Sequence, residues 1–256
     1  MKIFVISLLR SVERRANVTR QFEAAGLAFE FIDGVDGQAL TPAYIEQNVN
    51  QERYHYWHEL RHPGAIGCAL SHRAAYLRMV ADNIPVAAVL EDDIVLSPHF
   101  AEVLPRLAAQ VREREVQLLF FHSSQPVGLS RAGGAQLPHQ YELLTIQKFE
   151  FFGSAAGYVL PLSTAAALAA VQQPVFTIAD DWAQFQKQGG VDSFRLVVPF
   201  LLEPAGFKST IGYVDTKSLG GRLAGWIDKH QVFPFEQLLR FMRKRSSRKR
   251  QLYTIE

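Results

Sequence analysis

The sequence has little cysteine and no long hydrophobic run, and each shortage excludes a class of protein. Its one cysteine, Cys68, cannot form an internal disulfide, so the chain is not a disulfide-stapled secreted scaffold. The apolar neighbours of Cys68 favour a small core residue, and the composition agrees with a reducing compartment. The first apolar run, residues 3–9, is too short to cross a bilayer and ends at Arg10, so we expect neither a signal peptide nor a membrane span.

Basic residues are in the minority outside one short segment. The chain has 27 Lys and Arg against 25 Asp and Glu, but seven of the basic residues lie within residues 240–250, which hold no acid. Before residue 240 the balance is 20 basic to 24 acidic residues. We therefore divide the chain into one large α/β domain, residues 1–232, and a C-terminal amphipathic helix with a basic tail, residues 233–256.

The basic tail has three interpretations. Cations beside an amphipathic helix fit peripheral binding to an anionic membrane surface, at roughly 1 kcal/mol per cation near the lipid. Binding to nucleic acid is a weaker alternative, because the body of the chain is acidic and no recognition motif accompanies the tail. A disordered, solvated terminus is the third.

An apolar run that begins at Val86 ends in three carboxylates, Glu91, Asp92 and Asp93. The run is short and follows Pro85, which favours a buried strand of a mostly parallel sheet over a helix. Ligands of open α/β sheets bind at the carboxyl ends of the strands, where these acids lie. Glu91 and Asp93 point to the same face, and a cation such as Mg²⁺ or Mn²⁺ would relieve their repulsion. A solvated acidic turn is the alternative.

Helical and strand patterns alternate along the rest of the chain. Further strands are predicted at residues 2–8, 29–32, 117–121, 141–149, 155–160 and 196–200. Helices are predicted at residues 11–25, from residue 41, at 64–81, 104–115 and 163–171, around Trp182 and Phe185, and at 233–242. Residues 51–63, rich in aromatics and histidines, are predicted to form a mobile loop, and residues 125–138 an irregular one.

Two further groups of polar residues have a structural as well as a functional interpretation. Asp180 and Asp181 lie at an element junction, where either could cap the helix that carries Trp182. Ser71 and His72 lie in the predicted helix 64–81, where a core or surface role is the alternative to a role in binding.

Five motifs, in this order, resemble glycosyltransferase family 25, which includes bacterial lipooligosaccharide galactosyltransferases and the collagen galactosyltransferases. They are VISLLRS at 5–11 with ERR at 13–15, DGVDG at 33–37, GAIGCALSH at 64–72, VLEDD at 89–93 and GSAAGYVL at 153–160. Together they span the first two-thirds of the chain. Two positions depart from the family pattern, since Leu9 replaces an acidic residue and no arginine follows the last motif at 161–163.

The resemblance implies a GT-A-like, Rossmann-type α/β/α sandwich that transfers a hexose from a nucleotide sugar, most often UDP-galactose, with inversion. It makes Asp93 and Glu91 ligands of Mn²⁺ or Mg²⁺ at the diphosphate, where a cation stabilises the charge that grows on the leaving UDP. The nucleotide-sugar contacts that the resemblance implies are Leu8, Arg10, Arg15, Asp36, Ser71, His72, Glu91, Asp92, Gly153 and Ser154.

Inversion in one step also needs a base that takes the acceptor proton on the face opposite UDP. We expect a carboxylate remote from the acidic triplet. Asp180 and Asp181 are the candidates, and we favour Asp181. Glu150, Asp192 and Glu203 stay open as alternatives.

The function predicted from these motifs is an inverting, metal-dependent galactosyltransferase. Its expected acceptor is a lipid-linked saccharide of lipooligosaccharide, met on the cytoplasmic face of the bacterial inner membrane through the basic tail. UDP-glucose or a UDP-N-acetylhexosamine is the alternative donor, and a saccharide-binding protein without turnover is an alternative of a different class. Spacing does not encode the donor sugar, the linkage, the acceptor or the oligomeric state, because a few hydrogen bonds in a pocket distinguish epimers.

Overall fold

Strands and helices alternate along the chain, and the computed structural model describes residues 1–123, 126–147, 152–207 and 253–255. The strands are β1 (Lys2–Ser7), β2 (Glu30–Asp33), β3 (Val86–Glu91), β4 (Ile94–Leu96), β5 (Glu115–Leu118), β6 (His122–Ser123), β7 (Val127–Gln136), β8 (Glu142–Ile146), β9 (Phe152–Gly153), β10 (Gly157–Pro161), β11 (Ser193–Val198), β12 (Leu202–Pro204) and β13 (Tyr253–Ile255). The helices are α1 (Val12–Ala24), α2 (Pro42–Asn48), α3 (Gln51–Tyr56), α4 (Pro63–Ala81), α5 (Phe100–Ala108), α6 (Leu162–Val171) and α7 (Trp182–Lys187). Short 3-10 turns lie at Gly37–Ala39, Glu59–Arg61 and Pro138–Gln140.

One sheet of nine strands organises the described residues, in the order β13-β7-β8-β11-β5-β10-β3-β1-β2. β1 is parallel to β2 and β3, β5 to β11, and β7 to β13. Only β10 and β8 run against their neighbours. Seven of the nine strands therefore point the same way, which confirms the prediction of a mostly parallel sheet.

Successive residues of β3 enter two different cores. Ala87 and Val89 pack in the core shared with α4, α6 and α7, whereas Ala88 and Leu90 pack in the core shared with α1 and α5. A strand covered on both faces must be apolar at every position, which is why this run shows no alternation. The helices on both faces confirm the predicted Rossmann-type α/β/α sandwich.

Helix α1 sets the position of an arginine next to the end of β3. Val18 and Phe22, four residues apart, are buried on its inner face, and Arg14 lies one turn earlier on that face. The helix ends before Gly26, whose φ of 65° lies in the left-handed region that glycine adopts readily.

Residues 51–63, predicted as a mobile loop, form α3 and a 3-10 turn instead. Asn50 caps α3 by accepting the backbone N–H of Arg53 at 2.9 Å. The Arg53 guanidinium stacks between Trp57 and Phe176, with 4.2 and 4.5 Å to the ring centroids. Phe176 is more than a hundred residues away, so no local pattern could reveal this packing.

The irregular loop predicted at residues 125–138 contains a long strand, β7. It pairs with β8 through a register shift between Ser130 and Ala135, and the two glycines inside this irregularity obscure the strand pattern. β13 pairs with β7, so residues 253–255, assigned to the tail from the sequence, join the sheet.

Other boundaries differ by a few residues. Helix α5 begins at Phe100 and ends at Ala108, earlier than the predicted 104–115, and β5 likewise begins at Glu115. The predicted helix at 233–242, the basic segment 240–250 and Glu150 lie outside the described residues. Within the described part of the chain, no helix combines the length and hydropathy needed to cross a bilayer.

Candidate active site

A cleft of about 400 Å³ lies at the carboxyl edge of the sheet, where β1, β2 and β3 end. The ends of these strands contribute Ser7, Leu8, residues 34–36 and the three acids at 91–93. The start of α1 contributes Arg10 and Arg14, and the start of α4 contributes Pro63 and Gly64. The cleft is therefore where ligands bind in open α/β sheets.

Asp92, the middle acid, is used inside the protein. Its side chain is 8% exposed; one oxygen accepts the Ser7 hydroxyl at 2.6 Å and the other accepts Arg14 Nη1 at 2.8 Å. Each oxygen thus accepts a bond from within the protein, and the predicted contact of Asp92 with the donor stays a prediction. Asp92 joins β1 and α1 to the end of β3.

Glu91 and Asp93 face the cleft, with 28% and 33% of their side chains exposed. The pKa of Asp93 is raised from 3.8 to about 6, first by burial and then by the charge of Glu91. Arg14 opposes this shift, since its Nη1 lies 3.5 Å from Asp93 Oδ2, but the same nitrogen pairs more closely with Asp92. Like charges therefore crowd this part of the cleft.

His72 connects Glu91 to a buried pair of tyrosines. Its Nε2 lies 3.3 Å from Glu91 Oε1, and its Nδ1 lies 2.7 Å from the Tyr158 hydroxyl. The Tyr76 hydroxyl lies 2.7 Å from that of Tyr158. Burial raises the pKa of both tyrosines, so they stay neutral hydrogen-bonding groups. Cys68, one turn before His72 on α4, approaches Glu91 Oε1 with its Sγ at 3.8 Å.

The arginines predicted to contact the donor have different surroundings. Arg10 lies at the cleft and donates to Asp36 at 2.6 Å, a contact that lowers the pKa of Asp36. Arg15 is not part of the cleft lining. It donates to the Ser7 carbonyl at 2.8 Å and to Asp33 at 2.5 Å, so it holds the ends of β1 and β2 together.

Ser71 lies at the cleft, but its hydroxyl is fully engaged by the backbone. It accepts the Val35 N–H at 2.8 Å and donates to the Gly67 carbonyl at 2.6 Å. A Cβ on Gly67 would lie 2.6 Å from the Val35 carbonyl oxygen, so only glycine permits this approach. Ser71 thus fixes the loop after β2 against α4.

Asp181 is the N-cap of α7. One oxygen accepts the Gln184 N–H at 3.2 Å and the other accepts the Thr177 hydroxyl at 3.0 Å. The capping alternative stated from the sequence is therefore the observed one, and the preference for Asp181 as the base does not fit it.

Asp180 lies near the acidic triplet rather than away from it. Burial raises its pKa, and the charge of Glu91 raises it further, while His72 opposes the shift. Asp180 therefore does not have the position remote from the triplet that we expect of the base, and its role stays a prediction.

Gly153 lies against Asp180, Ser154 bonds to Trp182 and Ala156, and neither lines the cleft. A Cβ on Gly153 would lie 2.9 Å from Asp180 Oδ2, so the absent side chain leaves room for that carboxylate. The Ser154 carbonyl accepts the indole N–H of Trp182 at 3.1 Å and its Oγ accepts the Ala156 N–H at 3.2 Å.

Two of the alternative bases lie elsewhere. Asp192 precedes β11 and so lies at the amino ends of the parallel strands, opposite to the cleft. It is 3.7 Å from Arg114. Glu203 is exposed on β12, which pairs with β4. Neither lines the cleft. Asp180 does not line it either, but its pKa responds to the charge of Glu91, which does.

The donor set fits the hard cation that the resemblance implies. Glu91 and Asp93 present oxygen atoms to the cleft, the type of ligand that Mn²⁺ and Mg²⁺ prefer. Burial and the charge of Glu91 raise the pKa of Asp93, the direction expected of a carboxylate whose charge the protein compensates only in part. A divalent cation would supply that compensation.

Several residues that shape this site were not predicted from the sequence, among them Ser7, Arg14, Cys68 and Tyr158. Arg14 had a signal: it is spaced four residues from Val18 and eight from Phe22, and so lies on the buried face of α1. Tyr158 had none, because its partner His72 is 86 residues away.

Comparison with known proteins gives consistent matches. The model of Glycosyltransferase family 25 (LPS biosynthesis protein) matches residues 1–183. A glycosyltransferase 25 family member of Drosophila melanogaster is 34% identical over 127 residues, which are 47% of this chain and 20% of the relative. One of Aedes aegypti is 35% identical over 113 residues, 38% of this chain and 17% of the relative.

A mouse relative bears the name inactive glycosyltransferase 25 family member 3. It is 31% identical over 116 residues, which are 43% of this chain and 19% of the relative. The matched segment is thus about a fifth of the length of each of these relatives. Since the family model covers more than half of the 256 residues, this chain belongs to glycosyltransferase family 25.

Proposed function

We propose that this protein is an inverting glycosyltransferase that moves galactose from UDP-galactose to a lipid-linked saccharide of lipooligosaccharide. One observation carries the proposal: Glu91 and Asp93 face a cleft at the carboxyl edge of the sheet, and Asp180 lies within electrostatic reach of Glu91. Family membership supports glycosyl transfer as the reaction.

The donor diphosphate would lie near the first turn of α4. This helix has 19 residues, and Pro63 and Gly64 at its start line the cleft. Pro63 has no backbone N–H, so the Gly64 N–H and the positive end of this long helix would favour phosphate binding. Arg10 and Asp36 lie at the same cleft and would contact the nucleoside.

Glu91 and Asp93 would hold Mn²⁺ or Mg²⁺. When bound, the cation would neutralise the diphosphate and the charge that grows on the leaving UDP. Asp92 keeps β3 in place for this role through its contacts with Ser7 and Arg14.

Asp180 would accept the proton of the acceptor hydroxyl. Its pKa is raised by burial and by Glu91, the direction that makes a carboxylate a stronger base. Gly153 leaves the space in which this carboxylate can orient.

The acceptor and the membrane attachment are proposed from the family description and from the basic residues of the sequence. The family description as an LPS biosynthesis protein supports a lipid-linked saccharide. The seven cations within residues 240–250 would hold the enzyme to an anionic membrane on its cytoplasmic side.

The test is release of UDP from UDP-galactose, UDP-glucose and UDP-N-acetylhexosamines by the purified protein, with Mn²⁺ and then with excess chelator. We expect release from UDP-galactose alone, abolished by chelation and by Asp93→Asn. The matched control is Asp192→Asn, which removes a carboxylate at the other edge of the sheet and should change nothing.

Other outcomes favour the alternatives. Release confined to another sugar would keep the reaction and replace the donor. UDP that binds without any turnover, even with saccharide acceptors added, would favour a binding protein. The mouse relative named inactive is the observation that favours this alternative. No binding of UDP with metal would overturn the proposal.

A further inference from the structure

Three potential metal ligands of different chemistry, Cys68, His72 and Glu91, lie together in the lining of the cleft. Cys68 and His72 lie one turn apart on α4, and both face Oε1 of Glu91 at the end of β3. Sγ is 3.8 Å and Nε2 is 3.3 Å from that oxygen, and the three ligand atoms lie within 4.8 Å of one another.

The two separations from Glu91 Oε1 are close to those within a zinc site. With bond lengths of about 2.0 Å to nitrogen and oxygen and 2.3 Å to sulfur, ligand atoms of a tetrahedral site lie roughly 3.3–3.7 Å apart. The observed distances from Glu91 need only small side-chain rotations to match. Because all three residues line the cleft, a fourth position would stay open to solvent or ligand.

The surroundings of His72 favour ligation through Nε2. Its other nitrogen, Nδ1, lies 2.7 Å from the Tyr158 hydroxyl, which can accept a hydrogen bond from Nδ1–H. In that tautomer the lone pair of Nε2 points toward Cys68 and Glu91. Histidine ligands of metals almost always have such a partner on the second nitrogen.

The ligand chemistry separates this cluster from the carboxylate site beside it. Glu91 with Asp93 offers oxygen alone, which suits Mn²⁺ and Mg²⁺, whereas thiolate and imidazole favour Zn²⁺ and similar cations. Burial raises the pKa of the Cys68 thiol, and the charges of Glu91 and Asp180 raise it further. A cation at this position would reverse that electrostatic effect, and the thiol proton would pass to the buffer.

We propose that Cys68, His72 and Glu91 form a site for a thiophilic divalent cation of the Zn²⁺ type. The site shares Glu91 with the hard-cation site, so occupation of one should exclude the other. The three side chains would bind such a cation whether or not the protein transfers a sugar.

The experiment is a Co²⁺ titration of the reduced, metal-free, full-length protein, followed by absorption spectroscopy. Co²⁺ takes the place of Zn²⁺, and a thiolate ligand adds a charge-transfer band in the near ultraviolet. Because Cys68 is the only cysteine of the chain, this band can arise from no other residue. We expect it to saturate at one Co²⁺ per chain, with the visible bands of tetrahedral cobalt, and to disappear when Zn²⁺ is added.

Three variants complete the test. Cys68→Ser should lose the charge-transfer band, and His72→Gln should raise the Co²⁺ Kd by at least about tenfold. His99→Gln is the control: it breaks a second cluster of potential ligands in the described chain, His99, Glu102 and His139, and should leave the band unchanged.

Two results would overturn the proposal. One is wild-type protein that binds Co²⁺ without a charge-transfer band, since only oxygen and nitrogen would then be ligands. The other is a band that saturates at one Co²⁺ per two chains, which would place Cys68 in an intermolecular complex. Both are read from the wild-type protein, so they hold even if a variant fails to fold.

Discussion

The Ser7 hydroxyl donates to the Asp92 carboxylate at 2.6 Å, and this contact joins the end of β1 to the turn after β3. The second oxygen of Asp92 pairs with Arg14 of α1 at 2.8 Å. The middle acid of the triplet thus has a structural task, and its two neighbours are left to face the cleft. Substitutions of adjacent carboxylates should therefore have opposite effects.

Asp92→Ala should destabilise the fold by roughly 3 kcal/mol, because it leaves the mostly buried Arg14 guanidinium without its nearest carboxylate. Urea unfolding followed by circular dichroism measures the loss. Ser7→Ala, which removes a single hydrogen bond, should cost about 1 kcal/mol. Equal stability of Asp92→Ala and wild type would contradict the structural role.

Asp93→Asn should stabilise the metal-free protein near neutral pH. The folded-state pKa of Asp93, about 6, exceeds its ordinary 3.8, so ionisation costs stability as pH rises between these values. We expect a gain of about 1–2 kcal/mol above pH 6 after allowance for partial exposure, and no difference below about pH 4. The measurement is Tm against pH in chelator.

The same variant supplies a metal test. Mn²⁺ should raise the Tm of the wild type, because an ion that binds only the folded state stabilises it. It should not raise the Tm of Asp93→Asn, because that variant lacks a proposed ligand. A variant less stable than wild type at pH 7 in chelator would show that Asp93 is not a crowded carboxylate.

The sequence was sufficient to locate β3 and its acids because a strand buried on both faces is a continuous apolar run. It did not indicate which acid bonds within the protein and which acids face the cleft. This difference depends on Ser7 and Arg14, which are 85 and 78 residues away from Asp92 along the chain. Tertiary partners, and not local spacing, decide which of three adjacent carboxylates is free to bind a ligand.

Two pairs of neighbours show how far local spacing reaches. The sequence prediction names Arg15 as a donor contact and does not name Arg14, although the four-residue spacing of Arg14 and Val18 places Arg14 on the buried face of α1. It favours Asp181 over Asp180 as the base, whereas Asp181 caps α7 and the charge of Glu91 acts on Asp180. The helical period indicates the position of Arg14, but no local pattern decides which of the two aspartates caps the helix.

Asp180→Asn should lower kcat by about 10²–10⁴-fold, the usual contribution of a general base, with little change in the KM for the donor. Asp181→Ala should cost about 1 kcal/mol of stability through loss of the helix cap, and lower kcat far less. Single-turnover assays and urea unfolding of both variants give the comparison. The reverse pattern would return the base to Asp181.

The pH profile of kcat gives a second measurement of the base. Because burial and Glu91 raise the pKa of Asp180, the carboxylate is lost at a higher pH than an exposed aspartate would be. We expect activity to fall on the acid side with one proton taken up, and this limb to be absent in Asp180→Asn. An identical acid limb in that variant would assign it to another group.

Gly153→Ala should lower kcat without weakening UDP binding. Its new Cβ would come within 2.9 Å of Asp180 Oδ2, so the carboxylate must move, whereas the cleft near α4 is untouched. Gly189→Ala is the control for a glycine substitution, since nothing lies within 4 Å of a Cβ there, although its φ of 70° adds strain. Isothermal titration with UDP and Mn²⁺, beside turnover, separates the two effects.

Replacement of the seven Lys and Arg within residues 240–250 by Gln should weaken binding to anionic vesicles. Each cation near such a surface contributes roughly 1 kcal/mol, so the loss should exceed a hundredfold at low salt and shrink as salt is added. Charge replacement is preferable to truncation, because residues 253–255 form β13 and pair with β7. Co-sedimentation with vesicles of phosphatidylglycerol and with neutral vesicles measures the difference. Binding that is equal in the two vesicle types, or unchanged in the variant, would exclude an electrostatic attachment through this segment.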